Sequence, residues 1–133
     1  MASERYRRNR GSVYSLKYHI VWCPKYRRPV LVGVVAEELA ALLREKAAVL
    51  GAAVHALEVQ PDHVHLFVES DPTVPVQFLV NQFKGYTSRV LRQRHASLRS
   101  RLPSLWSRSY YAATVGHVSE ETVRRYIEAQ KGV

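Results

Sequence analysis

The stretch Gln60-Pro61-Asp62-His63-Val64-His65-Leu66-Phe67-Val68 decides how this chain folds. From Val64 on it reads as a strand, because successive strand side chains point to opposite faces and Val64, Leu66 and Val68 then share one of them. His63, His65, Phe67 and Glu69 share the other. The apolar face asks for a core. The opposite face sets two imidazoles two residues apart, near enough to hold one metal ion together. Pro61-Asp62 is a turn signal, so the histidines open the strand at its exposed rim. A surface strand with two solvated histidines has the same pattern, and a motif this short does not choose between the readings.

Working outward, residues 54–60 read as a strand that forms an antiparallel hairpin with the histidine strand across the short turn. If that turn holds an even number of residues, Glu58 lies opposite His65 and Gln60 opposite His63. Glu58 is then a carboxylate able to orient the His65 ring, as outer groups commonly do for ligating histidines. A one-residue slip destroys this pairing. Upstream, residues 34–50 carry Val35, Leu39, Leu42, Leu43, Ala47 and Leu50 at helical spacing, with Gly51 where a C-cap glycine belongs. Residues 13–22 form the first strand, dense in β-branched and aromatic side chains. Two prolines exclude a helix from the loop after it. That loop interleaves Tyr26 with Lys25, Arg27 and Arg28, which suits a contact to phosphate and base, though a solvated loop reads the same way.

Downstream, Asp71-Pro72-Thr73 opens a helix expected from about Val74 to His95, with Phe78, Leu79, Phe83, Tyr86, Val90 and Leu91 as its buried stripe. Its other side bears Lys84, Arg89, Arg92 and Arg94 and no acid, which favours phosphate contact. Residues 96–105 are arginine-rich and suggest a short helix stopped at Pro103. Residues 106–115 read as a fourth strand and Gly116-His117-Val118 as a hinge. Ser119 is placed to N-cap a last helix, with Val123, Tyr126, Ile127 and Gln130 as one stripe. The order strand, helix, strand, strand, helix, strand, helix predicts an α+β fold. It is a ferredoxin-like (split βαβ, RRM-like) antiparallel sheet with helices on one face and an added C-terminal helix.

A length of 133 residues fits one domain with its own core. We divide it into a flexible basic arm over residues 1–11 and a single domain over residues 12–133. The one cysteine, Cys23, excludes an internal disulfide framework and a cysteine zinc site, and fits a reducing cytoplasm. No apolar run suggests a membrane span, and no apolar segment follows the basic start as a secretory signal requires. The net charge is +9 and the sequence pI about 10.1. Arginine supplies most of the positive charge, and its planar fork suits phosphate, so nucleic acid is the expected partner.

Tyr126 and Gln130 are four residues apart and project from the same side of the last helix. Tyr126 alone reads as an amphipathic core anchor. Beside His63-Val64-His65 it acquires a chemical reading. A phenol with a pKa of about 10 is a poor nucleophile at neutral pH. A metal held by two imidazoles could polarise a phosphodiester oxygen and leave the phenol to attack phosphorus. Gln130 is placed to supply a third ligand.

Tyr18-His19-Ile20-Val21-Trp22-Cys23-Pro24-Lys25-Tyr26-Arg27, Pro61-Asp62-His63-Val64-His65-Leu66 and Tyr126-Ile127-Glu128-Ala129-Gln130 together resemble the single-tyrosine HUH transposases of the insertion sequences numbered two hundred and six hundred and five. The resemblance implies a homodimeric nuclease acting on single-stranded DNA with hairpins, in a bacterial or archaeal cytoplasm at the nucleoid. It implies Tyr126 as nucleophile, forming a 5′-phosphotyrosine and a free 3′-OH, and His63, His65 and Gln130 as metal ligands. Two imidazoles alone suggest zinc; the family implies Mg2+ or Mn2+ instead, with no small-molecule cofactor and no membrane partner. Lys25, Arg27, Arg28, Lys84, Arg89 and Arg92 are the expected nucleic-acid contacts. Two alternatives stay open: a domesticated relative that processes repeated palindromes, and a non-enzymatic RRM-like module that binds single strands.

Overall fold

A computed structural model describes residues 7–8, 13–14, 16–114 and 120–133. Two short strands, β1 (Arg7–Arg8) and β2 (Val13–Tyr14), pair antiparallel with Arg7 opposite Tyr14. The first strand expected over residues 13–22 is therefore divided. Its start serves this ribbon, and only β3 (Leu16–Trp22) enters the main sheet. Arg7–Arg8 belongs to the expected basic arm; the rest of that arm lies outside the described residues.

The main sheet also contains β4 (Ala53–Gln60), β5 (His63–Ser70) and β6 (Tyr111–Thr114) in the order β4-β5-β3-β6, with every pairing antiparallel. This is the ferredoxin-like arrangement. The β4–β5 turn holds only Pro61 and Asp62, an even count, so Glu58 pairs with His65 and Gln60 with His63. A bulge between Val54 and Ala56 interrupts the far end of β4. It lets His55 reach Glu69 on the face shared with the histidines, with Nε2 2.8 Å from Oε1.

Alternation puts the core where the sequence asks for it. Val64, Leu66 and Val68 are fully buried with Ile20 and Trp22 of β3. Each such side chain contributes roughly 1.5–3 kcal/mol of burial energy. Helices α1 (Gly33–Leu50), α2 (Val76–Arg94) and α3 (Ala96–Arg101) cover this face. Gly51 ends α1 in the left-handed conformation at φ 72°, and its N–H donates to the Ala48 carbonyl at 3.2 Å.

Three expectations change. The Asp71 carboxylate closes its own turn, accepting from the Thr73 N–H at 2.8 Å and the Thr73 hydroxyl at 2.7 Å. Helix α2 accordingly starts after Pro75. Its buried stripe is Leu79, Val80, Phe83, Thr87 and Leu91, while Phe78 is 47% exposed, one residue's rotation away from the core. Tyr86 and Val90 pack at the margin. Finally, residues 106–110 are not strand. Trp106 makes one isolated bridge to Pro24 and turns its ring inward, edge-on to Trp22, with Nε1–H donating to Thr87 Oγ1 at 3.1 Å. The carbonyls of Ser107 and Ser109 are taken by the Lys84 ammonium at 2.7 and 3.2 Å, so they serve no ladder.

The last helix, α4 (Glu120–Ala129), lies over the histidine face, its Tyr126 ring 5.9 Å from Tyr111 of β6. Val123 and Gln130 are buried and Tyr126 and Ile127 half-buried, so the expected stripe faces inward. The expected hinge at residues 116–118 and the Ser119 cap lie outside the described residues. No described helix is long and apolar enough to cross a membrane.

Candidate active site

The histidine face gathers side chains from β3, β4 and β5. His63 Nδ1 donates to Asp62 Oδ1 at 2.9 Å, which leaves Nε2 outside that bond. His65 Nε2 lies 3.0 Å from His19 Nδ1, which leaves its own Nδ1 outside that bond. His19 in turn stacks on Phe67, with ring centroids 4.4 Å apart and planes at 4°. Burial, then the neighbouring His19, holds the His65 pKa below its ordinary 6.5, against an upward pull from Glu58. A neutral His65 keeps a lone pair, and imidazole nitrogens from two residues are donors that suit a divalent cation. Among the described residues no group of three or more His, Cys, Asp and Glu side chains is arranged to hold a metal.

Glu58 stands opposite His65 as expected, but its carboxylate accepts from Gln60 Nε2 at 3.0 Å. The hydrogen-bond partner of His65 is His19, which sequence reasoning did not single out. His19 alternates with buried Ile20 on β3, and the β3–β5 register brings it beside Phe67, two residues along β5 from His65.

Tyr126 and Gln130 converge on Ser109. The Ser109 hydroxyl lies 2.8 Å from the Tyr126 oxygen and donates to Gln130 Oε1 at 2.9 Å. A serine has one proton to give, so Tyr126 O–H is the donor in its bond with Ser109. Ser107 Oγ–H also donates to Gln130 Oε1, at 3.4 Å, and Gln130 Nε2–H donates to the Tyr126 carbonyl at 3.4 Å. Both lone pairs of the Gln130 oxygen are thus engaged, and to bind a cation it must release a serine. Burial pushes the Tyr126 phenol up to about 12. Lys84 props the two serines from below through their carbonyls, and burial lowers its ammonium to about 8. A cleft of about 530 Å³ separates α4 from the histidine strand, lined in part by Arg27, Glu58, Asp62, His63, Val123 and Ile127.

The expected DNA contacts fall into two groups. Lys84 is committed to Ser107 and Ser109, Arg92 to the carbonyls of Leu98 and Leu102 at 3.2 and 3.1 Å, and Arg27 to Asp62 and the Ile127 carbonyl. Arg28 and Arg89 are exposed. Arg28 shares a cleft with Arg101, and Arg89 lies over the Tyr86 ring at 5.6 Å. Lys25 lies 5.1 Å over the Tyr26 ring. Patterning shows which cations leave a helix face, but not which ones fold back onto carbonyls.

The family profile described as "Transposase IS200 like" matches residues 12–130. The ISDra2 transposase TnpA of Deinococcus radiodurans is 40% identical over 126 residues, covering 93% of this chain and 90% of that protein. The transposase for insertion sequence element IS200 of Salmonella typhimurium is 29% identical over 119 residues, covering 88% of this chain and 78% of that one. Among solved structures, a protein from Deinococcus radiodurans R1 superposes with a TM-score of 0.88 at 36% identity, covering 96% of this chain and 99% of its own; its assignment as a transposase is provisional. A REP-associated tyrosine transposase bound to a REP hairpin shares the fold, with a TM-score of 0.57 at 14% identity over 96% of this chain and 69% of that one. The chain therefore belongs to the IS200-like single-tyrosine transposases, enzymes that nick and rejoin DNA.

Proposed function

We propose that this transposase cleaves and rejoins single-stranded DNA at the ends of an insertion sequence, with Tyr126 as the nucleophile. The phenol oxygen attacks a backbone phosphorus, the P–O3′ bond breaks, and the strand leaves with a free 3′-OH while the 5′ end stays on Tyr126 as a phosphotyrosine. A 3′-OH then attacks that phosphorus, the bond to the tyrosine oxygen breaks, and the strands are rejoined without an external energy source. His63 and His65, joined by Gln130 once its oxygen leaves the serines, would hold Mg2+ or Mn2+. When bound, such an ion supplies charge stabilisation at the phosphoryl oxygens. Asp62 orients His63, His19 orients His65, and Glu58 adds negative charge beside His65. Ser109 accepts the Tyr126 O–H hydrogen bond, which holds the phenol oxygen in place; on attack the phenol proton passes to water, and the departing 3′ oxygen takes a proton from water to become the 3′-OH. Exposed Arg28 and Arg89 would meet phosphate, and unpaired bases would stack on exposed aromatics such as Tyr26. Hairpins near the element ends and a second copy of this chain complete the expected assembly.

The observation that carries this reading is the helix bearing Tyr126 lying over the sheet face that bears His63 and His65. The test is incubation with a single-stranded oligonucleotide carrying an element end and Mg2+, followed by a denaturing gel. The unmutated chain should form a covalent adduct, while Tyr126→Phe should form none and bind the hairpin nearly as well. An adduct on the Phe variant would move the chemistry to another tyrosine, such as Tyr110 or Tyr111. A chain that binds but never forms an adduct would leave only the binding module.

A further inference from the structure

The loop after β3 contains two consecutive non-glycine residues in the left-handed backbone region, Tyr26 at φ 60° and Arg27 at φ 53°. Each costs an L residue roughly 1–2 kcal/mol, and such strain persists only where the surroundings over-determine it. Here they do. The Lys25 N–H donates to the Leu105 carbonyl at 2.8 Å, Tyr26 N–H to the Val133 carbonyl at 3.0 Å, and Arg27 N–H to the Pro24 carbonyl at 2.8 Å.

What the strained turn accomplishes is the placement of one guanidinium. Arg27 Nε lies 3.4 Å from Asp62 Oδ2, and Arg27 Nη1 donates to the Ile127 carbonyl at 3.4 Å. The other oxygen of the same carboxylate, Asp62 Oδ1, accepts from His63 Nδ1. Ile127 directly follows Tyr126 in the last turn of α4, where the helix dipole presents its negative end to a cation. A single side chain therefore joins the helix that carries the tyrosine to the carboxylate that fixes the His63 ring. A lysine has no planar fork with which to make both contacts.

Building on the reading of His63 given above, we propose that Arg27 is a positioning residue that couples the docking of α4 to the orientation of His63 through Asp62. With α4 in place, its carbonyl fixes the guanidinium, the guanidinium fixes the carboxylate, and the carboxylate holds His63 with Nε2 turned outward. The linkage runs both ways, so whatever steadies His63 also steadies α4. The sequence suggests a rival assignment for Arg27, a plain phosphate contact, and the two predict different measurements.

The full chain is titrated with Mn2+, following the free ion by electron paramagnetic resonance, and amide exchange is followed over Glu120–Ala129 with and without saturating Mn2+. The variants are Arg27→Ala, Arg27→Lys and Asp62→Asn, the last keeping the backbone turn intact should the Arg27 variants fold poorly. Coupling predicts that all three weaken Mn2+ binding by roughly ten-fold or more, the usual effect of losing an outer partner of a ligating histidine. It also predicts that Mn2+ slows exchange in α4 of the unmutated chain and that this slowing disappears in the variants. Unchanged Mn2+ affinity in Arg27→Ala, with only a shallower salt dependence of single-strand binding, would assign Arg27 to phosphate and overturn the proposal. Weaker Mn2+ binding without any Mn2+-dependent protection of α4 in the unmutated chain would also overturn it. No Mn2+ uptake by the unmutated chain would sink the metal reading of His63 itself, and that failure shows before any variant is made.

Discussion

Ser109→Ala tests whether the serine bracket holds the helix that carries Tyr126. The substitution removes the hydroxyl that meets Tyr126 at 2.8 Å and Gln130 at 2.9 Å. Ser109 is exposed, so its bond to Tyr126 counts at the low end of hydrogen-bond values, about 0.5 kcal/mol. Gln130 is 7% exposed and keeps only the 3.4 Å bond from Ser107 on its oxygen, so that loss counts at the high end, about 1.5 kcal/mol. Together these weaken the docking of α4 by about 2 kcal/mol, or roughly 30-fold in its opening equilibrium. The assay is amide exchange over Glu120–Ala129, which should accelerate by about that factor. The overall melting temperature should move little, because Val123 and Ile127 lie outside the core between the sheet and α1–α3. Ser109→Thr keeps the hydroxyl and should restore most of the protection. If α4 of Ser109→Ala exchanges as slowly as in the unmutated chain, the bracket does not hold the helix and the reasoning fails.

Two further predictions follow from the same geometry. The sequence Gly116-His117-Val118 before α4 suggests a hinge, and a hinge there would let the serine bracket receive α4 of a partner subunit, the geometry of an exchanged element. Mixing Tyr126→Phe with His63→Ala subunits should then recover adduct formation, and a dead mixture with subunit exchange confirmed by tagged pull-down would refute assembly between subunits. The second concerns acid. Burial, then His19, holds His65 below 6.5 in the folded chain, so the unfolded chain binds more protons as pH falls. The stability contributed by the neutral ring is present above pH 6.5 and is lost as pH drops through the lower folded value. Melting temperature measured from pH 7 to pH 5 should therefore fall more steeply for the unmutated chain than for His65→Gln; equal slopes would mean that His65 is not buried as described.

Strand periodicity made the central hairpin legible. Alternation in β5 fixed which residues face the core, and the two-residue turn then fixed Glu58 opposite His65, because register follows from turn length. Helix α1 was readable from its spacing and from Gly51. The stripe of α2 was read one position off at Phe78, because a helix rich in apolar residues offers two overlapping stripes and only the partner surface selects one. Residues 106–110 look like strand because their composition is β-favouring, whereas the Ser107 and Ser109 carbonyls answer to a lysine more than twenty residues earlier in the chain. The same limit applied at the site. The types and spacing of His63, His65, Tyr126 and Gln130 were visible, but His19, Asp62, Ser107 and Ser109 were not, because each matters only through contacts that side-chain packing creates.

The sheet divides its labour between its faces, and this shapes how copies of such a chain decay. Ile20, Trp22, Val64, Leu66 and Val68 point to α1–α3, while His19, His63 and His65 lie on the opposite face, under α4. On the function proposed above, a mutation that strikes an imidazole or Tyr126 removes no volume from the core between the sheet and α1–α3, so the lesion would silence cleavage and spare the fold. Defective copies would then persist as folded chains that keep the proposed DNA-binding surface and compete with the active copy for the same ends. An element that encodes such a protein would thereby carry a means of its own damping, because a lesion on this face produces a competitor in place of debris.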